Sequence, residues 1–83
     1  MDQLDRIRYM EQLFDFVLEA RKEQTISQDK KARILEATRI LADYYVSKEW
    51  KQDLADDEAG LLPKDLKRGV LSDDGLWNLL THK

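Results

Sequence analysis

The sequence predicts an all-α fold: a small helical bundle, with an N-terminal antiparallel helical hairpin plus two shorter C-terminal helices. Three observations carry that expectation. Apolar residues in the first half recur at steps of three and four, the spacing of one helix face. Ser27, Ser47 and Ser72 each stand where a hydroxyl can cap the start of a helix. All three glycines and the single proline fall after residue 59, so the strongest breaks are confined to the second half.

The first helix is expected over about residues 3–24. Leu4, Ile7, Met10, Leu13, Phe14, Val17 and Leu18 form its apolar stripe, flanked by Tyr9, Phe16 and Ala20. Arg6, Glu11, Asp15, Glu19, Lys22 and Glu23 lie at or near the opposite face and read as a solvated surface. Thr25-Ile26-Ser27 interrupts the pattern with two β-branched residues and two hydroxyls. Either Thr25 or Ser27 can cap a second helix, and Gln28 would complete a capping box with Thr25. That helix runs to about Val46 with a wider stripe: Ala32, Ile34, Leu35, Ala37, Leu41, Ala42, Tyr44, Tyr45 and Val46. So short a connection makes the two helices antiparallel neighbours. A third element is then needed to cover their apolar seam.

Ser47 is the cap expected for a third helix over about residues 48–58, with Trp50, Leu54 and Leu61 on one side. Gly60 suits the left-handed residue just past a helix end. Pro63 can open a short helical turn over residues 63–68, and Gly69 marks another turn. Ser72 caps the last helix, with Asp73 and Asp74 in its first turn, where the helix dipole favours acids. Trp50, Leu54, Leu66, Val70, Leu71, Leu76 and Leu79 are expected to close the seam. Gly69-Val70-Leu71 is too short for a strand. Residues 1–83 read as a single helical domain.

Composition narrows the chemistry. Of 83 residues, 37% are charged, well above the usual quarter, so the apolar remainder is needed for the core. Little is left to line a deep enzyme pocket. The chain has no Cys and one His, His82. Disulfides, thiol nucleophiles and Cys-ligated metals are excluded, and a Ser-His-Asp triad would depend on a terminal His. No catalytic residue, metal ligand or cofactor is assigned. No apolar run approaches the ~20 residues that cross a bilayer, and the first residues lack a secretory pattern. No membrane association and a cytoplasmic location are therefore expected. A net charge of −3, with basic residues interleaved among acids, argues against nucleic acid as a partner.

One stretch works against its own helix. Asp56, Asp57 and Glu58 occupy the last turn of the third helix, at the negative end of its dipole. Each carboxylate there costs roughly 0.3–1 kcal/mol before screening. Asp53 and Asp57 add a like-charge pair at i,i+4. Lys64, Lys67 and Arg68 are the cations that could fold back over the acids. The structural reading is an internal ion-pair network, or an earlier helix end that leaves the acids solvated. The functional reading is a surface for a partner's basic groups or for a metal.

The aromatic residues divide in the same way. Trp50 and Trp77 read as core or core-edge residues whose indole N–H groups reach a polar partner, and an exposed Trp50 or Tyr45 would be a binding anchor. Tyr44 and Tyr45 point about 100° apart, so one packs while the other shows its hydroxyl. Lys67-Arg68 lacks the Gly-rich loop of a phosphate site, and His82 reads as exposed and idle.

From Leu41 onward a longer pattern can be read. It comprises Tyr44-Tyr45, Ser47 with Trp50, Asp53, the run Asp57-Glu58-Ala59-Gly60-Leu61-Leu62-Pro63-Lys64-Asp65-Leu66-Lys67-Arg68-Gly69-Val70-Leu71-Ser72, and Leu76-Trp77-Asn78-Leu79-Leu80. Over about residues 41–80 the chain resembles the bacterial family called domain of unknown function 4298. Trp77 stands where an aromatic such as Tyr is expected, and Asp73 where Glu is common. The first half resembles the family only as a generic helical hairpin beginning near Leu13-Phe14. The resemblance implies a stand-alone cytoplasmic domain and brings no catalytic residue, substrate or cofactor.

Three functions compete. The first is a non-catalytic protein-interaction module that binds an unknown protein partner through an acidic and basic corner: Trp50, Asp53, Asp57, Glu58, Lys64, Lys67 and Arg68. The alternative is a small regulatory or immunity-type inhibitor of bacterial or phage origin, which rests on analogy of fold. The third is a carboxylate metal-binding protein using Asp53, Asp57 and Glu58, although their spacing does not fit an EF-hand loop. A homodimer stays open, because the first helix has a long apolar stripe for so short a chain to cover.

Overall fold

The computed structural model describes residues 2–81. The first element is α1 (Gln3–Ala20), and the Asp2 side chain caps it by accepting the Asp5 N–H at 2.9 Å. Ile7, Phe14, Val17 and Ala20 turn its apolar face inward. The helix stops four residues short of the expected end near Gln24. Its last turn tightens into i→i+3 bonds, Lys22 N–H to the Glu19 carbonyl and Glu23 N–H to the Ala20 carbonyl. The stop is set by the return of the chain: residues 21–27 must reverse direction for the next helix to pack. Arg21, just past the end, donates to the Leu79 carbonyl at 2.5 Å.

The second helix is α2 (Gln28–Tyr45). Of the two candidate caps Ser27 serves, accepting the Lys30 N–H at 3.1 Å, and Lys30 pairs with Glu23 across the turn. The antiparallel pair α1 and α2 gives the molecule its length, with extents of 41 × 23 × 23 Å.

Ser47 starts α3 (Lys48–Glu58) by accepting the Trp50 N–H at 3.1 Å, and its hydroxyl donates to the Tyr44 carbonyl at 2.6 Å. The helix ends as expected at Gly60, whose φ is +74°. Leu61 N–H reaches the Asp56 carbonyl at 2.9 Å and Gly60 N–H the Asp57 carbonyl at 3.0 Å, the paired bonds of a Schellman ending.

The expected helical turn over residues 63–68 does not form. One backbone bond, Leu66 N–H to the Pro63 carbonyl at 3.2 Å, forms within that stretch among the described residues. The Arg68 guanidinium takes the Pro63 and Leu66 carbonyls instead, at 2.7 and 3.3 Å, while Leu62 and Leu66 turn into the core. A short 3-10 turn (Gly69–Leu71) follows, then α4 (Asp73–Thr81), where Ser72 Oγ accepts the Gly75 N–H at 3.2 Å.

The residues expected to close the hairpin seam do so. Trp50, Leu66, Val70, Leu71, Leu76 and Leu79 are buried with Ile7, Phe14, Val17 and Leu41, and Leu54 packs at the edge. Trp50 Nε1 donates to the Val70 carbonyl at 2.8 Å, which ties α3 to the 3-10 turn. Trp77 departs from expectation. Leu76 and Leu79 take the inward face of α4, and Trp77, one position round the helix, stays 53% exposed beside Tyr45. Among the described residues there is no strand, and no helix is long and apolar enough to cross a membrane.

Candidate functional site

The charged residues of the corner divide into an inner and an outer set. The inner set centres on Asp53. Gln3 and Arg6 lie one turn apart on α1, Tyr44 is near the end of α2, and Asp53 is in the middle of α3. Packing brings all four together. Arg6 Nε donates to Asp53 Oδ2 at 3.0 Å and Nη2 to Oδ1 at 2.5 Å, a two-pronged pair. The Tyr44 hydroxyl donates to Oδ2 at 2.6 Å and Gln3 Nε2 to Oδ1 at 3.0 Å. Asp53 is fully buried. Burial alone would raise its pKa, but the bonds from Arg6, Tyr44 and Gln3 together outweigh burial and hold the carboxyl below the usual range. Burial, and then the bond to Asp53, push the Tyr44 phenol well up.

The outer set surrounds the break between α3 and the 3-10 turn. Arg68 does fold back over the acids, with Nη1 on Asp57 Oδ1 at 2.7 Å. Lys67 does not: its ammonium crosses to Asp15 on α1 at 2.8 Å, which raises the lysine's pKa. Asp56 accepts from Gln3 at 2.6 Å and from Gln52 at 2.8 Å. Glu58 and Lys64 are exposed and make no ion pair among the described residues. The acids at the helix end are thus offset by one arginine and two glutamine amides rather than by three cations.

Of the seven residues expected to meet a partner, Trp50 and Asp53 lie inside, 7% and 0% exposed. Their polar atoms are committed to Val70, Arg6, Tyr44 and Gln3. Asp57, Glu58, Lys64, Lys67 and Arg68 share the outer corner. Tyr44 is buried, whereas Tyr45 lies half-buried with its ring 4.7 Å from that of Trp50. His82 lies outside the described residues.

Glu11 was read from sequence as part of a solvated face, and the structure corrects this. It is 5% exposed, and Oε1 accepts the Val70 N–H at 3.3 Å. Burial raises its pKa, the Val70 and Gly69 N–H groups partly offset that, and the neighbouring Asp15 raises it further. The fit explains Gly69. A Cβ there would stand 3.0 Å from Glu11 Oε2 and 3.1 Å from the Phe14 ring. The sequence holds one trace of this arrangement, a glycine directly before two residues of the core.

Between α1 and the loop that carries Lys67 lies a cleft of about 330 Å³, bordered by Arg8, Glu11, Asp15, Asp65, Leu66 and Lys67. A second, shallower hollow of about 350 Å³ lies beside Arg6, with Met10 and Ile40 between Asp43 and Glu49. Among the described residues, no group of three or more His, Cys, Asp or Glu side chains is placed to hold a metal ion.

These features define an all-α domain whose helical hairpin is closed by one buried carboxylate knot and one carboxylate-braced turn. The chain belongs to the family described as Domain of unknown function (DUF4298), which matches residues 7–83. The match takes in α1 from Ile7 onward as well as the stretch from Leu41 that carries the resemblance. No curated protein and no solved structure matches the chain.

Proposed function

We propose that this chain is a non-catalytic protein-interaction module of the bacterial cytoplasm. It binds a protein partner through the outer corner of residues 57–68 and the adjoining cleft on α1. The supporting observation is the way the loop holds its charges. Arg68 is fixed by three acceptors, the Asp57 carboxylate and the Pro63 and Leu66 carbonyls. Lys67 is tethered to Asp15 across the cleft. A non-helical surface segment therefore presents its charges already ordered, which lowers the entropy lost on association. Glu58 and Lys64 supply rim charges of the kind that steer encounter. Trp50 and Asp53 act from inside, by fixing the helix that carries Asp57 and Glu58.

The test is capture of partners from a lysate of the source organism, quantified by mass spectrometry. Wild type is compared with a Lys64→Glu, Lys67→Glu variant. Arg68 is left intact because it closes the loop. A specific protein recovered by wild type and lost by a variant with unchanged helical circular dichroism supports the reading. Equal recovery by both, or none above a tag-only control, defeats it.

A further inference from the structure

We propose that the cleft beside Glu11 receives an arginine side chain of the protein partner, with the Glu11 carboxylate as its anchor. The inference rests on the interaction reading and gives it a chemistry. The cleft is large enough, at about 330 Å³, to admit a side chain, and one of its lining groups is a buried acid.

The two buried carboxylates differ in what already holds them. Asp53 has a guanidinium of its own, from Arg6. Glu11 has backbone N–H contact, and no ion pair to it forms among the described residues. The two cations at the cleft have other acids as their ion-pair partners: Lys67 holds Asp15 at 2.8 Å, its charge reaching Glu11 only through space, and Arg8 lies 4.0 Å from Asp5. Asp65 adds a second carboxylate with no ion pair among the described residues, and Leu66 adds apolar surface. That set complements a cation on an aliphatic stem.

Arginine fits better than lysine for two reasons. Its planar fork of N–H donors can serve more than one carboxylate oxygen, and guanidinium sheds water more readily than ammonium. The protein has already stripped Glu11 of much of its water in folding. An arriving cation therefore gains attraction in a low-dielectric setting without that part of the desolvation cost.

The experiment is a 1H–15N NMR titration of the full chain with N-acetyl-arginine-methylamide, and in parallel with the lysine analogue. Wild type should show saturable shifts centred on the Gly69 and Val70 amides and residues 65–67, with the lysine analogue weaker. Glu11→Gln should weaken arginine binding by about tenfold or more, the loss of a charged hydrogen-bond partner. Asp65→Lys, at an exposed position, should weaken it with the fold intact, and it decides the matter if Glu11→Gln fails to fold. Absence of saturable shifts overturns the proposal, as does equal binding by wild type and Asp65→Lys. Shifts of equal size in wild type and a folded Glu11→Gln would also overturn it, by placing the arginine elsewhere. Because no partner is needed, this outcome is independent of the capture experiment: the module reading survives an empty cleft, and the cleft survives a failed capture.

Discussion

Asp53 and Glu11 are both carboxylates packed away from water, yet their pKa values move in opposite directions. Asp53 falls below the ordinary range and Glu11 rises above it. The cause is the company each keeps. Side chains from two other helices converge on Asp53 and bring a full positive charge, a phenol and an amide. Glu11 meets partial charges of the backbone, the like charge of Asp15 and, without an ion pair, the opposite charge of Lys67. Burial pushes both acids up, and what separates them is whether their partners together outweigh it. A buried acid becomes a structural knot when a cation is bonded to it, and a braced acid with a raised pKa when none is.

The largest effect expected from this contrast belongs to Asp53→Ala. It strands the Arg6 guanidinium and the Tyr44 hydroxyl, and loss of one partner of such a pair costs about 3–5 kcal/mol. A domain of this size has little more than that in total, so circular dichroism at 25 °C should show a largely unfolded chain. A urea midpoint close to wild type would erase the distinction between the two acids.

Gly69→Ala comes next. The new methyl meets Glu11 Oε2 at 3.0 Å and Phe14 at 3.1 Å, and such overpacking costs about 1–3 kcal/mol. Shortening the acid in a Glu11→Ala, Gly69→Ala double variant should recover part of that loss in a double-mutant cycle. Strict additivity would mean that Glu11 does not brace the turn.

Proton linkage gives a smaller and more diagnostic pair of slopes. The depressed Asp53 contributes stability that is complete above the unfolded value of about 3.9 and is lost as pH falls through its folded value. Wild type should therefore lose ground to Asp53→Asn below about pH 4. The raised Glu11 contributes stability that is complete below about pH 4.3 and is lost as pH rises through its folded value. Wild type should accordingly gain on Glu11→Gln as pH falls from 7 towards 4. Urea melts across that range check both slopes, and parallel slopes for the two variants would collapse the contrast. The least effect is expected from Lys67→Ala. Its pair with Asp15 sits in solvent, and the melting temperature should not move.

The sequence disclosed what is local. Ser27, Ser47 and Ser72 cap helices through neighbours three positions on, and Gly60 ends α3 through its own backbone freedom. The seam residues were legible because apolar spacing survives folding unchanged. Most of what stayed hidden depends on contacts remote along the chain. Two local features also stayed hidden, because apolar spacing does not report them: the end of α1 is set by chain reversal, and the loop before Gly69 is held by the Arg68 side chain more than by helical bonds. Asp53 was legible as unusual but not as buried, because its partners are 47 and 9 residues away. Glu11 looked like one more surface acid, since the N–H group that it braces comes 59 residues later. The outer corner was more legible, as acids and bases gathered within one short stretch.

The long reach of α1 has a consequence for synthesis. Both of its arginine anchors wait for chain made much later: Arg6 for Asp53, and Arg21 for Leu79. At about 5–20 residues per second, Leu79 emerges from the catalytic centre roughly 4–15 s after Arg6. Until α3 is made, within that interval, the apolar face of α1 has only α2 to lean on. The apolar face of α1 is therefore most exposed to misassociation before α3 and α4 have been made.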